Sequence, residues 1–338
     1  MMKQILLFFL FSGMVFAQKT QFIQLTQSIK DKNKIAKSLT LIDRRDDKTI
    51  GTVSHRKEPY ELKFEEENLE NLFQKWFLED NKTPGNTEFL LILEELKAGD
   101  EQKGKLVIGK LKLKMVTFIK RNDKYYFVKR INIMKDYKPN DHAYITRAIA
   151  YKISLEISSL IKDSYSEPIT NFPISESELN DYEKVISGKF KLFNSEKLTD
   201  GVYTDYRSFY KQEPNNDYSV KKNNKGVITG VSNIKGYDTY TNDVFAIVDN
   251  GVAYRSTPFR LIEMVKEDNK FYVLSSKEEL FPTNNAGAAV AGALIGGIVG
   301  GVIGAVIDAS STKKNIEKAG LSKIEIDPLT GEYDFSNE

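Results

Sequence analysis

The feature that most constrains this chain is a 22-residue run without a single charge, Ala286 to Ile307, in which Gly292, Gly296, Gly300 and Gly304 recur at every fourth position. That spacing aligns the four glycines on one stripe of a helix, and Gly297 and Gly301 widen the groove beside it. A helix of this length is about 33 Å long, comparable with the roughly 30 Å hydrocarbon core of a bilayer. Bare stripes let a second backbone come close, which is how helices associate in lipid. The seven glycines of the run destabilise a helix by about 0.8–1 kcal/mol each relative to alanine. Its nine Val, Leu and Ile residues contribute only about 3–5 kcal/mol on insertion. A lone span is therefore marginal, and the Gly face is expected to meet a second copy or another membrane helix. A Gly/Ala-rich helix buried in a soluble fold is the competing reading. If the run spans, Glu278 and Glu279 before it and Lys313, Lys314 and Lys318 after it place residues 309–338 in the cytoplasm and the folded body outside.

Residues 1–17 read as a signal peptide. Lys3 precedes the apolar run Ile5 to Phe11, Ser12-Gly13 breaks it, and Val15-Phe16-Ala17 presents a cut site before polar Gln18. The expected address is the exported, periplasm-facing envelope: the inner membrane if 286–307 spans, otherwise the periplasm or outer envelope. The chain has no cysteine, which removes disulfides, thiolate metal sites and a lipid-bearing N-terminal thiol. A net charge of +2 gives no pull toward nucleic acid.

Between these segments the patterning predicts an α+β protein. Leu39–Ile42 and the alternation of Tyr60, Leu62 and Phe64 read as strands, and Leu69, Leu72, Phe73, Trp76 and Phe77 line one face of a helix. Phe89–Leu93 reads as a central strand, and Leu106–Ile119 with Tyr125–Ile131 reads as a hairpin about an Asn122-Asp123 turn. Ile145, Ile149, Ile153, Ile157 and Ile161 mark a second helix, from about His142 to Lys162. Residues 18–166 are thus expected to be two helices on a mainly antiparallel sheet, with 167–182 a linker. Residues 183–281 read as a mostly-β meander, a small barrel or sandwich. Its strands are Val185–Phe193, Tyr218–Val220, Gly226–Val231, Val244–Val248, Val252–Arg255, Phe259–Val265 and Phe271–Ser275, with Asn250-Gly251 as a tight turn. Residues 308–338 read as a polar tail.

Signs of catalysis are sparse. His55 and His142 lack ligand spacing, the glycine run lacks the Lys-Ser/Thr ending of a phosphate loop, and no nucleophile motif is present. No cofactor, no metal and no enzymatic activity is expected. Carboxylates at Asp43, Asp46, Asp47, Glu65–Glu67, Glu94 and Glu95 read as solvated faces, and a carboxylate-based periplasmic hydrolase stays open as an alternative. A soluble secreted interaction module is a further alternative. Ten Lys or Arg residues between Lys103 and Arg130 face only Asp123, and Lys110, Lys112 and Lys114 alternate with Leu111, Leu113 and Met115. That basic sheet face suits anionic lipid headgroups, or it protects an edge.

Leu41-Ile42-Asp43-Arg44-Arg45, Ile50-Gly51, the Trp76 helix and the Phe89–Leu93 strand together resemble the ABC-transport-auxiliary and YajG-like periplasmic envelope domains over about residues 35–165. The resemblance implies an envelope protein with an Asp-x-Arg strand followed by helix and strands. Asp200-Gly201-Val202-Tyr203, Phe209, Pro214 and Val248-Asp249-Asn250-Gly251 are similar to uncharacterised secreted proteins of Bacteroidota. The reading is a non-enzymatic envelope protein, anchored or assembled through the glycine stripe and supporting envelope transport or maintenance.

Overall fold

The computed structural model describes residues 19–239, 243–258, 260–281 and 321–335. The expected leader at 1–17 and the stripe Gly292, Gly296, Gly297, Gly300, Gly301 and Gly304 lie outside the described residues. The chain forms two compact units: residues 1–121 with 127–169, and residues 122–126 with 170–338.

Unit 1 opens with β1 (Lys19–Ile23), β2 (Ala36–Asp43), β3 (Thr52–His55) and β4 (Glu58–Phe64), followed by α1 (Leu69–Asp80). Three long strands then run in succession, β5 (Thr87–Lys103), β6 (Leu106–Arg121) and β7 (Lys124–Tyr137), before α2 (Ile145–Ser164). They sort into a sheet β1-β4-β3 and a sheet β2-β5-β6-β7, with β1 parallel to β4 and β2 parallel to β5. The expected α+β unit with two helices is present, and its division into two sheets is the addition. β1 and β3 carry little alternation of their own and are strands because β4 pairs with both.

The isoleucine strip of α2 is buried against β6. A Cβ on Gly109 would lie 2.6 Å from Ile145 Cγ2, so glycine admits the helix there. At the other end the hydroxyls of Thr117 and Ser164 are 2.7 Å apart. From Gly109 to Thr117 a strand advances about 27 Å, and from Ile145 to Ser164 a helix advances about 28 Å, so the two run in step. Each buried isoleucine contributes about 1.5–3 kcal/mol. A second buried strip on α2, Thr146, Ala150, Ser154 and Ser158, is small, and the helix also packs against β1 and β3.

α1 packs on β2 through Phe73, Trp76 and Phe77. Its C-terminus ties down the preceding loop: Trp76 Nε1 donates to the Gln27 carbonyl at 2.9 Å, and Asn81 Oδ1 accepts from the Asp31 amide at 2.7 Å. Buried Asp31 in turn accepts from the amides of Asn33, Ile35 and Ala36.

Unit 2 begins where a linker was expected. Residues 167–182 are not a solvated connector: Ile174 pairs with Tyr125 and is fully buried, and Leu179 is buried in a 3-10 turn. The expected strand Val185–Phe193 is also corrected. It is replaced by α3 (Tyr182–Ser187) and α4 (Lys191–Asn194), because Tyr182, Ile186, Phe190 and Phe193 recur at helical spacing and are the buried positions. β8 (Gly201–Tyr203) and α5 (Tyr206–Lys211) follow, then β9 (Tyr218–Lys222), β10 (Ile228–Asn233) and β11 (Asp238–Thr239). β12 (Ala246–Asp249), β13 (Val252–Ser256), β14 (Leu261–Glu267) and β15 (Lys270–Ser275) form the expected meander, closed by α6 (Lys277–Leu280). Asn250 and Gly251 both take positive φ at the β12–β13 turn, as do Asp268 and Asn269 at the β14–β15 turn.

Phe190 stacks on Tyr210 with centroids 4.1 Å apart, and Phe209 bridges Phe245 and Phe271 at 5.6 and 6.0 Å. The β9–β11 sheet packs on β8 and β12 through Val231, Val202 and Ile247.

Within the expected polar tail, 308–338, the described residues 321–335 are not a tail. β16 (Ser322–Ile326) pairs antiparallel with β15, from Ser275↔Ser322 to Phe271↔Ile326, and β17 (Tyr333–Asp334) pairs with β16. The seven-stranded order is therefore β17-β16-β15-β14-β13-β12-β8. Ile324, Ile326 and Leu329 are buried, and the polar residues between them hid that pattern in the sequence. This pairing does not fit the expectation, drawn for a spanning 286–307, that the strands after it lie across a membrane from the folded body. One crossing at 286–307 would put β15 and β16 on opposite sides of the bilayer. No described helix is long and apolar enough to cross a membrane.

Candidate functional site

In unit 1, β2 ends at Asp43 and the chain turns through residues 44–51 before β3. That loop is stitched on both sides. The Arg44 amide donates to the Leu93 carbonyl at 2.9 Å, the Ala98 amide to Ile50 at 2.7 Å, and the Leu62 amide to Gly51 at 3.0 Å. Asp47 binds Lys97 and accepts from both the amide and hydroxyl of Thr49, contacts that hold its carboxyl well below the usual range. Gly51 has φ +118°, and a Cβ there would sit 2.0 Å from the Ala98 carbonyl oxygen, so this passage needs glycine.

The loop, the end of β2, β4 and the first turn of α1 enclose a cavity of about 600 Å³. Sites for small molecules commonly run to about 300–1,000 Å³. Leu41, Ile50, Leu62, Phe64 and Leu69 supply its apolar wall. At its polar end Arg45 donates through Nε and Nη2 to the two carboxylate oxygens of Asp43, at 3.0 and 2.8 Å. The Arg45 side chain is 5% exposed, and its Nη1 is buried with no hydrogen-bond partner. Lys48 Nζ adds a 2.9 Å bond to the Asp43 carbonyl and lies 3.3 Å from its carboxylate. Burial pushes the Asp43 carboxyl up, but the Arg45 hydrogen bonds and charge, with Lys48, outweigh it and hold the group below the ordinary aspartate value.

The rim is acidic. Glu61 pairs with Lys63 at 3.0 Å and Glu66 with Lys75 at 2.8 Å, while Glu67 and Glu70 are exposed. Asn68 caps α1 by accepting from the Asn71 amide at 3.0 Å, with Glu70 in the first turn.

Of the carboxylates read as solvated faces, Asp43, Glu66 and Glu67 converge here, whereas Asp46 and Asp47 face solvent and Glu94 pairs with Lys114 at 3.5 Å. The lysine alternation on β6 is real: Leu111, Leu113 and Met115 are buried. Its charge is largely met within the sheet. Lys110 lies 2.6 Å from Glu101 and 2.7 Å from Asp136, whose bonds raise its pKa against the effect of burial, and Lys114 lies 3.5 Å from Glu94, whereas Lys112 lies opposite another cation, Lys97. Sequence reasoning missed Arg45 and the loop after it because a polar run looks solvated until β4 and β5 close on both its sides. The Asp-x-Arg pattern was the available signal. Among the described residues no His, Asp and Glu cluster is arranged to hold a metal. In unit 2, Arg260 binds Glu279 through Nε at 2.5 Å and Nη2 at 3.2 Å, and Ser275 Oγ donates to the same fully buried carboxylate at 2.7 Å. No protein-family model, curated protein or solved structure matches the chain.

Proposed function

We propose that this is an exported, non-catalytic cell-envelope protein whose folded body is attached, or assembled with further copies, through residues 286–307, in support of envelope transport or maintenance. The observation that carries the reading is the placement of that charge-free run between two paired strands. Ser275 and Ser322 are register partners, so residues 276–321 leave and rejoin the sheet at one end. Returning through lipid in extended form, residues 308–320 would carry Lys313, Lys314 and Lys318 and leave backbone groups unpaired. A same-side attachment, by insertion into one leaflet or by contact between glycine stripes, avoids both. The buried Arg260–Glu279 pair just before the run, and β16 just after it, are firm mounts for such a segment.

The hydrolase alternative has less support. Both carboxylate oxygens of Asp43, the most enclosed acid of the cavity, are taken by Arg45, which leaves none free for proton transfer.

The test uses the absence of cysteine. Single thiols at Asp268→Cys and Glu332→Cys, in cells expressing the full chain, should react equally with a membrane-impermeant maleimide. Mass determination should place the mature N-terminus at Gln18, and native electrophoresis should give assemblies that Gly296→Leu with Gly300→Leu disperses. Labelling of only one thiol, an intact leader, or a monomer released by carbonate would each remove the proposal.

A further inference from the structure

We infer that the start of α2 and the β3–β4 turn form a docking face for an anionic phospholipid surface, with Arg56, Lys57 and Arg147 toward lipid phosphates and the rings of Tyr144 and Tyr151 at headgroup level. The inference deepens the envelope reading and rests on it for the place where lipid is met. Tyr144, Arg147 and Tyr151 follow one another at steps of three and four residues, so they share one face of α2. All three are exposed, the two rings by 46% and 58%. The opposite face carries the buried Ile145, Ile149 and Ile153. Arg56 and Lys57 take positive φ in the β3–β4 turn and are also exposed. That turn brings Arg56 Cζ to 5.8 Å from the centre of the Tyr144 ring, where Arg147 Cζ lies at 5.1 Å and the His55 ring at 4.9 Å.

Two guanidiniums from different elements thus share one ring, and their mutual repulsion is not cancelled from within. Among the described residues neither has a carboxylate partner, nor has Lys57. Glu58, next to the turn, is taken by Lys19 at 2.5 Å, and Asp141, ahead of α2, forms no ion pair with either arginine. The helix adds the same sign: no side chain caps its first amides and no acid lies in its first turn. A free phosphate ion would engage the cations and leave both rings in water. Tyrosine rings beside cations suit a membrane interface, where the ring meets the headgroup region and the cation meets phosphate.

Co-sedimentation of the full chain with vesicles of phosphatidylcholine, or of an equimolar mixture with phosphatidylglycerol, separates this face from residues 286–307, whose apolar run carries no charge. The mixed vesicles should bind the chain more tightly. Arg56→Gln with Arg147→Gln should remove about 25-fold of that advantage, each charge being worth about fivefold near an anionic surface. Tyr151→Ser should weaken binding to the mixed vesicles with no change of charge. Lys32→Gln with Lys34→Gln removes the same charge from exposed positions elsewhere in unit 1 and should leave the advantage in place. Equal binding to both vesicle types, an advantage undiminished in the arginine variant, an equal loss in the lysine control, or displacement from the vesicles by micromolar inorganic phosphate or a short oligonucleotide would overturn the inference. The measurement needs no export, so an intact leader in cells would remove the envelope reading without touching this result.

Discussion

Arg45 in unit 1 and Arg255 in unit 2 are held by different chemistry. Arg45 in unit 1 faces a carboxylate, and each of the two keeps one buried nitrogen without a partner, Nη1 in Arg45 and Nε in Arg255. Arg255 in unit 2 lies 3.9 Å above the Phe245 ring and 5.4 Å from Tyr333, and its Nη1 donates to the Phe245 carbonyl at 2.5 Å. Burial pushes the Arg255 guanidinium pKa down. A cation held by rings and carbonyls can leave without orphaning another charge, whereas one that neutralises a carboxylate cannot. The comparison separates an arginine held by a carboxylate from one held by rings and a carbonyl.

The largest effect should come from a further arginine of unit 2, Arg260, through its pair with fully buried Glu279. Glu279→Ala strands Arg260 and is expected to destabilise unit 2 by about 3–5 kcal/mol. Trp76 is the only tryptophan and lies in unit 1, so its fluorescence transition in urea should stay in place while the circular-dichroism transition of the sheet moves. A shift of both together would show that the units do not unfold separately.

Next, Arg45→Met should lower the Trp76-reported stability by about 3 kcal/mol, at the low end for a broken buried pair because Lys48 still faces Asp43. Arg255→Met should change unit 2 by less than about 1 kcal/mol, since a similar volume remains over Phe245. Equal losses in the two variants would break the distinction drawn between them.

Two glycines sharpen the contrast at the level of backbone. Gly51→Ala meets a carbonyl 2.0 Å away at φ +118° and should cost about 2–3 kcal/mol. Gly251→Ala, with only the flexible Lys197 side chain at 3.1 Å, should cost about 1 kcal/mol, read from the same unfolding curves.

The smallest effect is one of pH. The Asp43 carboxyl is depressed in the folded unit, so its contribution is complete at neutral pH and is lost as pH falls below about 4. Asp43→Asn should flatten the acid limb of the Trp76-reported stability and leave the limb of unit 2 unchanged.

What the residues alone determined were the elements whose own side chains repeat with one period. The isoleucines of α2, the Phe73–Trp76–Phe77 face of α1, the β6 alternation and the Asn250-Gly251 turn were legible because local geometry decides which face is buried. Val185–Phe193 misled because its β-branched residues favour a strand, while the aromatic pile on Tyr210 and Phe271 selects helices there.

Only the tertiary structure decided the rest. β16 is a strand because β15 offers an edge from far back in the chain, and no pattern within residues 322–326 announces that pairing. The cavity likewise required Asp43 from the end of β2, Arg45 from the loop after it, Leu62 and Phe64 from β4 and Leu69 from α1. Pattern within a segment reports what that segment wants to bury. Which partners it finds depends on contacts between segments distant in sequence.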